Sequence, residues 1–417
     1  MKKIFYKIFI LFSILSLSIS TISFCDDIDE EVIDVNAEIL ETTSPAQSEI
    51  KIPETNSRAC VVIDRNTNTI LYGKNEKQQR KMASTTKIMT ATIIIENCNL
   101  DETIEISKKA AGTGGSRLGL KTGDKITIRD LLYGLMLRSG NDAAVALAEY
   151  AGGSIESFAE LMNKKASELG LTNTHFETPH GLDSDEHYTT AYELALLSNY
   201  ALNNTTFAQI VGTKEYTVTI NGYPKQLSNT NELLGNFEGI YGIKTGFTNG
   251  ANRCLVTACK RNDMDIICVV LGADTKKFRT QDSVKLINYI FDNFKSVNIK
   301  ELITDKFENW KKENLNKIVI NKGATQNINL EIENIDKDVI PIRKDLIDFI
   351  NISINLPLYF EAPIASNTQL GNINISVSDY LDFNYKIYNC FEIKHKSWNK
   401  YLFELFKNYS SILNNAF

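Results

Sequence analysis

The sequence predicts an α+β fold in which one sheet is built from both ends of a domain and a helical cluster lies between them. Two strand-like runs, 59–64 and 69–72, flank a short polar turn and predict a hairpin at the start. Helical spacing follows, and from Glu215 the apolar period changes to two. The later strands and a closing helix are predicted at 253–259, 265–272 and 283–294.

The helical cluster occupies the middle of this domain. Apolar residues repeat at helical spacing over 128–137 and 143–150, on either side of the polar turn 138–142. After the cluster, Asn221-Gly222 at the end of an alternating run is the strongest hairpin signal in the chain. Two further helices and the tight turn between them are predicted at 156–169, 190–202 and 178–183.

The N-terminal residues predict an export signal rather than part of the fold. Three lysines precede the apolar segment 8–22, whose serines leave it short for a stable span, so residues 1–25 are interpreted as a signal peptide. A retained anchor is the alternative. Cys25 does not predict a lipoprotein, because lipobox cleavage needs a small residue before the cysteine and Phe24 is too bulky. Residues 26–55 are acidic and patternless, which predicts a disordered linker.

The composition changes after residue 295, so a first domain is placed at 56–295. Residues 296–390 are rich in Asn, Ile, Lys and Asp with short alternating runs, which predicts a small all-β domain. Residues 391–417 repeat aromatic and aliphatic residues every three or four positions, with lysines among them. This pattern predicts an amphipathic helix that anchors the chain at a membrane surface, or alternatively a helix packed on its own domain.

Composition argues against several classes of function. The formal net charge is -6 and the central chain has no large basic patch, whereas nucleic-acid binding needs clustered Lys and Arg. The four histidines lack metal-ligand spacing and are interpreted as turn and surface residues, so no metal or cofactor is predicted. The cysteines after Cys25 form no CxxC pair, and buried free thiols are favoured over disulfides.

The most informative stretch is Ser84-Thr85-Thr86-Lys87, which an apolar run follows. A serine and a lysine three residues apart at the start of a helix lie one turn apart on one face, so the amine can reach the hydroxyl. Such a base makes a serine nucleophilic, provided that burial and a second cation lower the pKa of the lysine. The alternative is an ordinary capped core helix, and the pattern recurs at 397–400.

Two further motifs follow in the chain. Ser139-Gly140-Asn141 lies in the turn between two predicted helices, where it can direct side chains into a cleft or serve as a capping turn. Lys244-Thr245-Gly246 precedes the late strands. The three motifs occur in the order of the S-x-x-K, S-D-N and K-T-G set of β-lactamases and penicillin-binding proteins.

The chain resembles the low-molecular-mass penicillin-binding proteins, the serine D-Ala-D-Ala carboxypeptidases of peptidase family S11. Gly140, where β-lactamases usually have Asp, favours that branch. The resemblance covers roughly residues 57–390 and implies that 56–295 is a penicillin-binding catalytic domain with a β-lactamase/transpeptidase-like fold. A C-terminal amphipathic anchor is also usual in the family. The stretches that look like family signatures are 137–143, 169–176, 179–183 and 242–246.

The resemblance implies catalytic roles for the first two motifs. Ser84 would be the acylated nucleophile and Lys87 its base. Ser139 would relay a proton to the departing D-alanine amine, and the Asn141 amide would hold the peptide.

The third motif would bind the substrate. Lys244 and the Thr245 hydroxyl would hold the terminal carboxylate, and Lys244 would also be the cation that keeps the base neutral. Gly246 would let the strand approach the substrate closely. The backbone N–H groups of Ser84 and Phe247 would form an oxyanion hole, worth about 3 kcal/mol per donor.

The predicted function is a serine D-Ala-D-Ala carboxypeptidase that removes the last D-alanine from peptidoglycan stem pentapeptides, limits cross-linking and is trapped by β-lactams. Export places it at the outer face of the cytoplasmic membrane. A β-lactamase is the nearest rival hypothesis, but the Glu of an E-x-x-L-N motif is missing between the second and third motifs. A transpeptidase and a penicillin-binding protein that has lost turnover are two further rival hypotheses.

Overall fold

The structure, a computed structural model, describes residues 50–378 and 381–415. The predicted signal peptide and residues 26–49 of the predicted linker lie outside the described residues. The chain divides into two compact units at Tyr289 and Ile290. Each unit has its own hydrophobic core.

The last residues of the predicted linker, 50–55, contain neither helix nor strand. They nevertheless form hydrogen bonds with the rest of the first unit. The carbonyl of Glu54 accepts a hydrogen bond from Lys285 Nζ at 3.1 Å, and the carbonyl of Thr55 accepts one from Lys74 Nζ at 2.7 Å.

The first unit begins and ends its sheet with strands, most of its helices lie between them in sequence, and one helix follows the last strand. The strands are β1 (Ala59–Asp64), β2 (Ile70–Lys74), β3 (Thr103–Glu105), β4 (Lys125–Thr127), β5 (Glu215–Ile220), β6 (Tyr223–Ser228), β7 (Ile240–Thr248), β8 (Asn252–Arg261) and β9 (Met264–Ala273). The helices are α1 (Lys87–Asn97), α2 (Lys108–Ala111), α3 (Ile128–Leu137), α4 (Asn141–Gly152), α5 (Ile155–Glu168), α6 (Ala191–Leu202), α7 (Thr205–Val211) and α8 (Lys276–Asn293).

The main sheet joins the two ends of this unit, as predicted. Its strand order is β2-β1-β9-β8-β7, and all neighbouring pairs are antiparallel. The order ends at β7, which therefore forms one edge of the sheet. Apolar side chains of β1 and β9, such as Val61 and Val269, share one buried core with Ile88 of α1 and Leu131 of α3.

Local sequence signals account for where these elements begin and turn. The Thr127 hydroxyl caps α3 by accepting from Asp130 N–H, and Thr190 caps α6 in the same way. Asn221 and Gly222 have φ angles of 54° and 82°, the left-handed pair that a two-residue hairpin turn requires. The predicted β5–β6 hairpin is therefore confirmed.

The second unit is rich in strands, as expected, and it also contains a helix that the all-β interpretation did not include. Helix α9 (Ile299–Asn314) begins at Asn298, whose side chain accepts from Glu301 N–H. Its buried residues Ile299, Ile303 and Phe307 recur every four positions, which is a helical period. The alternating runs that follow in the sequence led to the all-β interpretation instead. The strands are β10 (Phe294–Asn298), β11 (Val319–Asn321), β12 (Leu330–Ile332), β13 (Val339–Arg343), β14 (Ile350–Asn355), β15 (Tyr359–Glu361), β16 (Gln369–Val377) and β17 (Leu381–Asn389).

A helix, α10 (Trp398–Asn415), follows the strands. Large apolar side chains on it are exposed, among them Trp398 at 76%, Phe403 at 70% and Leu405 at 67%. Within residues 50–378 and 381–415, no helix is both long and apolar enough to cross a membrane.

The cysteines of the main sheet behave as predicted. Cys254 is buried, and Cys60, Cys259 and Cys268 are free, buried thiols. Burial raises the pKa of Cys60 and of Cys259 to about 11 and raises that of Cys268 well above its usual value. These thiols therefore stay protonated near neutral pH and serve as small apolar core residues.

Candidate active site

Ser84 and Lys87 are adjacent at the start of α1. Ser84 lies in a 3-10 turn, Ala83–Thr86, and Lys87 is the first residue of the α-helix. The Lys87 side chain is fully buried, and its Nζ lies 2.8 Å from Ser84 Oγ. Ala83, just before the serine, has a φ of 48°, a left-handed conformation that costs about 1–3 kcal/mol outside glycine.

Two further oxygens hold the Lys87 amine. Nζ lies 2.7 Å from Asn141 Oδ1 and 3.0 Å from the carbonyl oxygen of His180. These two oxygens can only accept, so they take two N–H groups of the amine, and Nζ directs its third bonding position at Ser84 Oγ. The arrangement therefore holds Nζ within proton-transfer distance of the serine hydroxyl.

Asn141 is positioned by the glycine-rich segment 112–119. Its backbone N–H donates to Ser116 O at 2.8 Å, and its side-chain Nδ2 donates to Gly114 O at 2.8 Å. The neighbouring Asp142 carboxylate accepts from the N–H groups of Leu118, Gly119 and Leu120 at 2.7 to 3.0 Å. A buried carboxylate thus fixes this segment beside the amide.

Ser139 takes no part in the hydrogen bonds that join Ser84, Lys87 and Asn141. It lies between α3 and α4 with a φ of 58°, and it is fully buried. Its Oγ has no hydrogen-bond partner among the described residues. The structure therefore does not bring Ser139 into hydrogen bonding with Ser84 or Lys87.

The third motif lies on β7, next to the nucleophile. A Cβ added at Gly246 would lie 3.2 Å from Ser84 N and from Met82 O, so a larger residue would have to displace the backbone of the nucleophile by a few tenths of an ångström. Lys244 and Thr245 are buried, and Thr245 Oγ1 lies 2.8 Å from Thr230 Oγ1. Thr230 belongs to no motif, so its contact with Thr245 was not predicted from the sequence.

Phe247 follows the third motif directly, and its ring has a cationic neighbour. The Arg253 guanidinium lies 3.7 Å from the centre of the ring. Arg253 is its cross-strand partner on β8, so the stack follows from the sheet register.

The turn 179–183 also belongs to the site, although the sequence assigned it no role. Besides the His180 carbonyl, it contributes Gly181, which has a φ of 85°. A Cβ at Gly181 would overlap the carbonyl oxygen of Ala83 and lie 2.5 Å from Thr86 Oγ1. The turn therefore packs directly against the backbone that carries the nucleophile.

Replacing Gly181 by alanine is expected to lower the free energy of unfolding by about 3 kcal/mol or more and to slow acylation, because strain adds to a steric clash. Urea denaturation measures the first effect. Gly170→Ala is the matched control, since Gly170 also has a left-handed φ, 71°, but has open space around its Cβ position. It should cost only about 1–2 kcal/mol. Equal losses in both variants would contradict the packing role.

Two histidines of this region correct the expectation of turn and surface residues. His180 and His187 are 8% and 2% exposed. His187 Nδ1 accepts from Glu177 N–H at 3.0 Å, so its Nε2 donates to Thr86 Oγ1 at 2.8 Å. Burial lowers the pKa of His187 to about 4 and, together with the Lys87 charge, that of His180 to about 3.

The free energy of unfolding is expected to fall as the pH is lowered below about 6.5. His187 takes up a proton near pH 6.5 in the unfolded chain but only near pH 4 in the folded chain, so acid favours the unfolded state. Between pH 6.5 and about 4, His187 alone lowers the free energy of unfolding by about 3 kcal/mol. Above pH 6.5 it has no such effect. His187→Gln keeps a donor and an acceptor but does not titrate. Urea denaturation at several pH values measures how the free energy of unfolding depends on pH. This dependence should be weaker in His187→Gln and unchanged in the exposed control His395→Gln. An equal pH dependence in both variants would contradict the role of His187.

A serine beside a buried amine and an edge strand is typical of enzymes that form acyl intermediates on serine. Comparisons with known proteins identify the protein family. The sequence model of the peptidase family Peptidase_S11, described as D-alanyl-D-alanine carboxypeptidase, matches residues 44–275. The chain therefore belongs to this family, and the family predicted from the sequence is confirmed.

Curated relatives carry the same description. D-alanyl-D-alanine carboxypeptidase DacF of Bacillus subtilis is 38% identical over 246 residues, which cover 58% of this chain and 63% of the relative. D-alanyl-D-alanine carboxypeptidase of Streptomyces sp. K15 is 40% identical over 55% of this chain and 85% of the relative. The chain thus spans less than two thirds of the first relative's length.

Solved structures agree. D-alanyl-D-alanine carboxypeptidase DacD from Francisella tularensis has a TM-score of 0.66 and 26% identity over 85% of this chain and 98% of that structure. The Streptomyces K15 DD-transpeptidase has a TM-score of 0.55 and 36% identity over 57% of this chain and 98% of that structure. The predicted fold class is confirmed.

Proposed function

We propose that this chain removes the terminal D-alanine from peptidoglycan stem pentapeptides through an acyl-enzyme on Ser84, outside the cytoplasm. The observation that carries the proposal is the 2.8 Å separation of Lys87 Nζ and Ser84 Oγ inside a buried site. As Oγ attacks the carbonyl carbon of the penultimate D-alanine, its proton passes to Nζ. The ester formed on Oγ is later hydrolysed by water.

The other motif residues bind and orient the peptide in this proposal. Lys244 and the Thr245 hydroxyl hold the terminal carboxylate, which explains why a cation lies on the edge strand. The backbone N–H groups of Ser84 and Phe247 stabilise the oxyanion, and the Asn141 amide contacts the peptide. Ser139 Oγ, buried and without a hydrogen bond to the described residues, is proposed to carry the proton to the departing amine.

One experiment separates this reaction from its rivals. The protein is incubated with penicillin and weighed intact, and D-alanine release is assayed with a diacyl-L-Lys-D-Ala-D-Ala peptide. A penicillin adduct together with D-alanine release supports the proposal. An adduct without release indicates a binding protein, and rapid penicillin hydrolysis without an adduct indicates a β-lactamase. Release that requires an added amine acceptor indicates a transpeptidase.

We also propose that α10 lies on the membrane surface. Trp398, Phe403, Leu405 and Phe406 are each more than 60% exposed, which is unusual for a helix that packs on its own domain. Lysines at 396, 400 and 407 add attraction to anionic lipids.

The full chain is expected to sediment with anionic vesicles and less with zwitterionic ones. The double variant Phe403→Ser and Phe406→Ser should lose most vesicle binding while hydrolysing the short peptide normally, because these residues lie outside the catalytic motifs. Phe391→Ser is the control, since Phe391 is 67% exposed but precedes the helix. Unchanged sedimentation of the double variant would exclude α10 as the anchor.

A further inference from the structure

A cationic pocket lies at the end of β7, outside the residues to which a role has been given. Its volume is about 260 Å³. Arg58, Arg80 and Lys81 line it, together with the turn 250–252 that joins β7 to β8.

The three cations of this pocket are not equally neutralised. Lys81 pairs with Asp185 at 3.1 Å and Arg58 pairs with Asp274 at 2.8 Å; the Asp185 side chain is 97% exposed and that of Asp274 50% exposed. Such exposed ion pairs are worth little and exchange readily for a ligand.

Arg80 has no carboxylate partner among the described residues. One of its terminal nitrogens donates to Gln78 Oε1 at 3.0 Å, and its buried Nε has no partner within the described chain. Its backbone is held independently of the side chain, because N–H and C=O both pair with Thr189 at 2.7 and 2.9 Å. Arg80 is thus a partly buried cation on a fixed backbone, and no neighbouring carboxylate of the described chain offsets its charge.

The pocket lies near the candidate active site, at the end of β7. Ser84 and Gly246 are neighbours, as shown above, and Lys81 and Gly250 line the pocket together. The segment 81–84 therefore runs beside the last part of β7. Gly246 and Thr248, where β7 ends, are about 7 Å apart, so the turn that lines the pocket begins two to three peptide residues along the strand from the nucleophile.

The orientation of the proposed substrate directs its stem toward this pocket. With the terminal carboxylate at Lys244 and the scissile carbonyl near Phe247, the peptide runs along β7 toward Gly250. Asp183 approaches that end of the strand, but its carboxylate already accepts from Thr248 Oγ1 at 2.7 Å and from Gly250 N–H at 2.8 Å. These bonds engage both carboxylate oxygens and hold the turn in place.

We propose that this pocket is an anion subsite for a carboxylate of the stem peptide, two to three residues before the scissile bond. The Arg80 guanidinium is the main contact, because its planar fork matches a carboxylate, and Arg58 and Lys81 surround it. This inference rests on the proposed function.

The test compares two peptides that end in D-Ala-D-Ala and differ only in one upstream group, a D-glutamyl α-carboxylate or its amide. The diacyl-L-Lys-D-Ala-D-Ala peptide, which lacks that group, is the third substrate. The wild type should hydrolyse the carboxylate peptide about 5–10 times more efficiently than the amide, measured as kcat/KM. Arg80→Gln and Lys81→Gln should each reduce this preference, and neither should change hydrolysis of the diacyl peptide more than about two-fold.

Lys77→Gln is the matched control, because it removes an exposed charge from the same loop outside the pocket. It should keep the preference. Equal kcat/KM for both long peptides, or an equal loss on all three substrates in the variants, would overturn the subsite and leave the carboxypeptidase function intact. Failure of the wild type to release D-alanine from any of the three would overturn the proposed function itself.

Discussion

Ser84→Ala is expected to abolish both penicillin acylation and D-alanine release, with a loss of about 10⁴-fold or more, because no other group can form the ester. Stability should change little, since the variant removes one hydroxyl and leaves Lys87 Nζ with Asn141 Oδ1 and the His180 carbonyl. Intact mass after incubation with penicillin, and D-alanine release, measure the two activities.

The chain supplies its own control for this variant. Ser397 and Lys400 repeat the S-x-x-K spacing at the start of α10, but Lys400 Nζ donates to the carbonyl of Ala324 at 2.7 Å. Ser397→Ala should therefore retain full acylation and release. A penicillin adduct on Ser84→Ala, or its loss in Ser397→Ala, would refute Ser84 as the nucleophile.

Lys87→Gln is expected to slow acylation by about 10²- to 10⁴-fold, the usual contribution of a positioned general base. Glutamine is of similar length and can still donate to Asn141 Oδ1 or to the His180 carbonyl, but it cannot take the Ser84 proton. The rate of penicillin adduct formation measures the effect directly, without the later hydrolysis step.

Lys400→Gln removes the lysine of the second S-x-x-K pair and should acylate at the wild-type rate. Thermal denaturation distinguishes lost catalysis from lost folding, because Lys87 is fully buried and its replacement could disturb the core. A Lys87→Gln protein that folds and acylates normally would show that another group activates the serine.

Local parts of the fold were predictable because their signals lie within a few residues. The three-residue spacing of Ser84 and Lys87 places amine and hydroxyl within reach in any helical turn, and the structure has them 2.8 Å apart. The hairpin turn at Asn221 and the threonine cap of α3 are similarly local. Helix α9 was missed although its signal is local, since the alternating runs around it favoured an all-β interpretation.

The buried histidines show where such reasoning ends. His180 supplies a carbonyl to Lys87 across 93 positions of sequence, and Asn141 supplies its amide across 54. No periodicity relates residues so far apart. Only the packing of α4 and of the turn 179–183 against α1 makes these contacts.

By itself, the sequence determined the family, the alternation of helices and strands and the identity of the three motifs, because these depend on residue type and short-range spacing. Tertiary structure alone decided that β7 ends the sheet beside Ser84, that Thr230 contacts Thr245, and that Arg80 lies in a pocket without a carboxylate partner among the described residues. The physical reason is that sheet order and loop packing result from burial across the whole domain, which no short segment encodes.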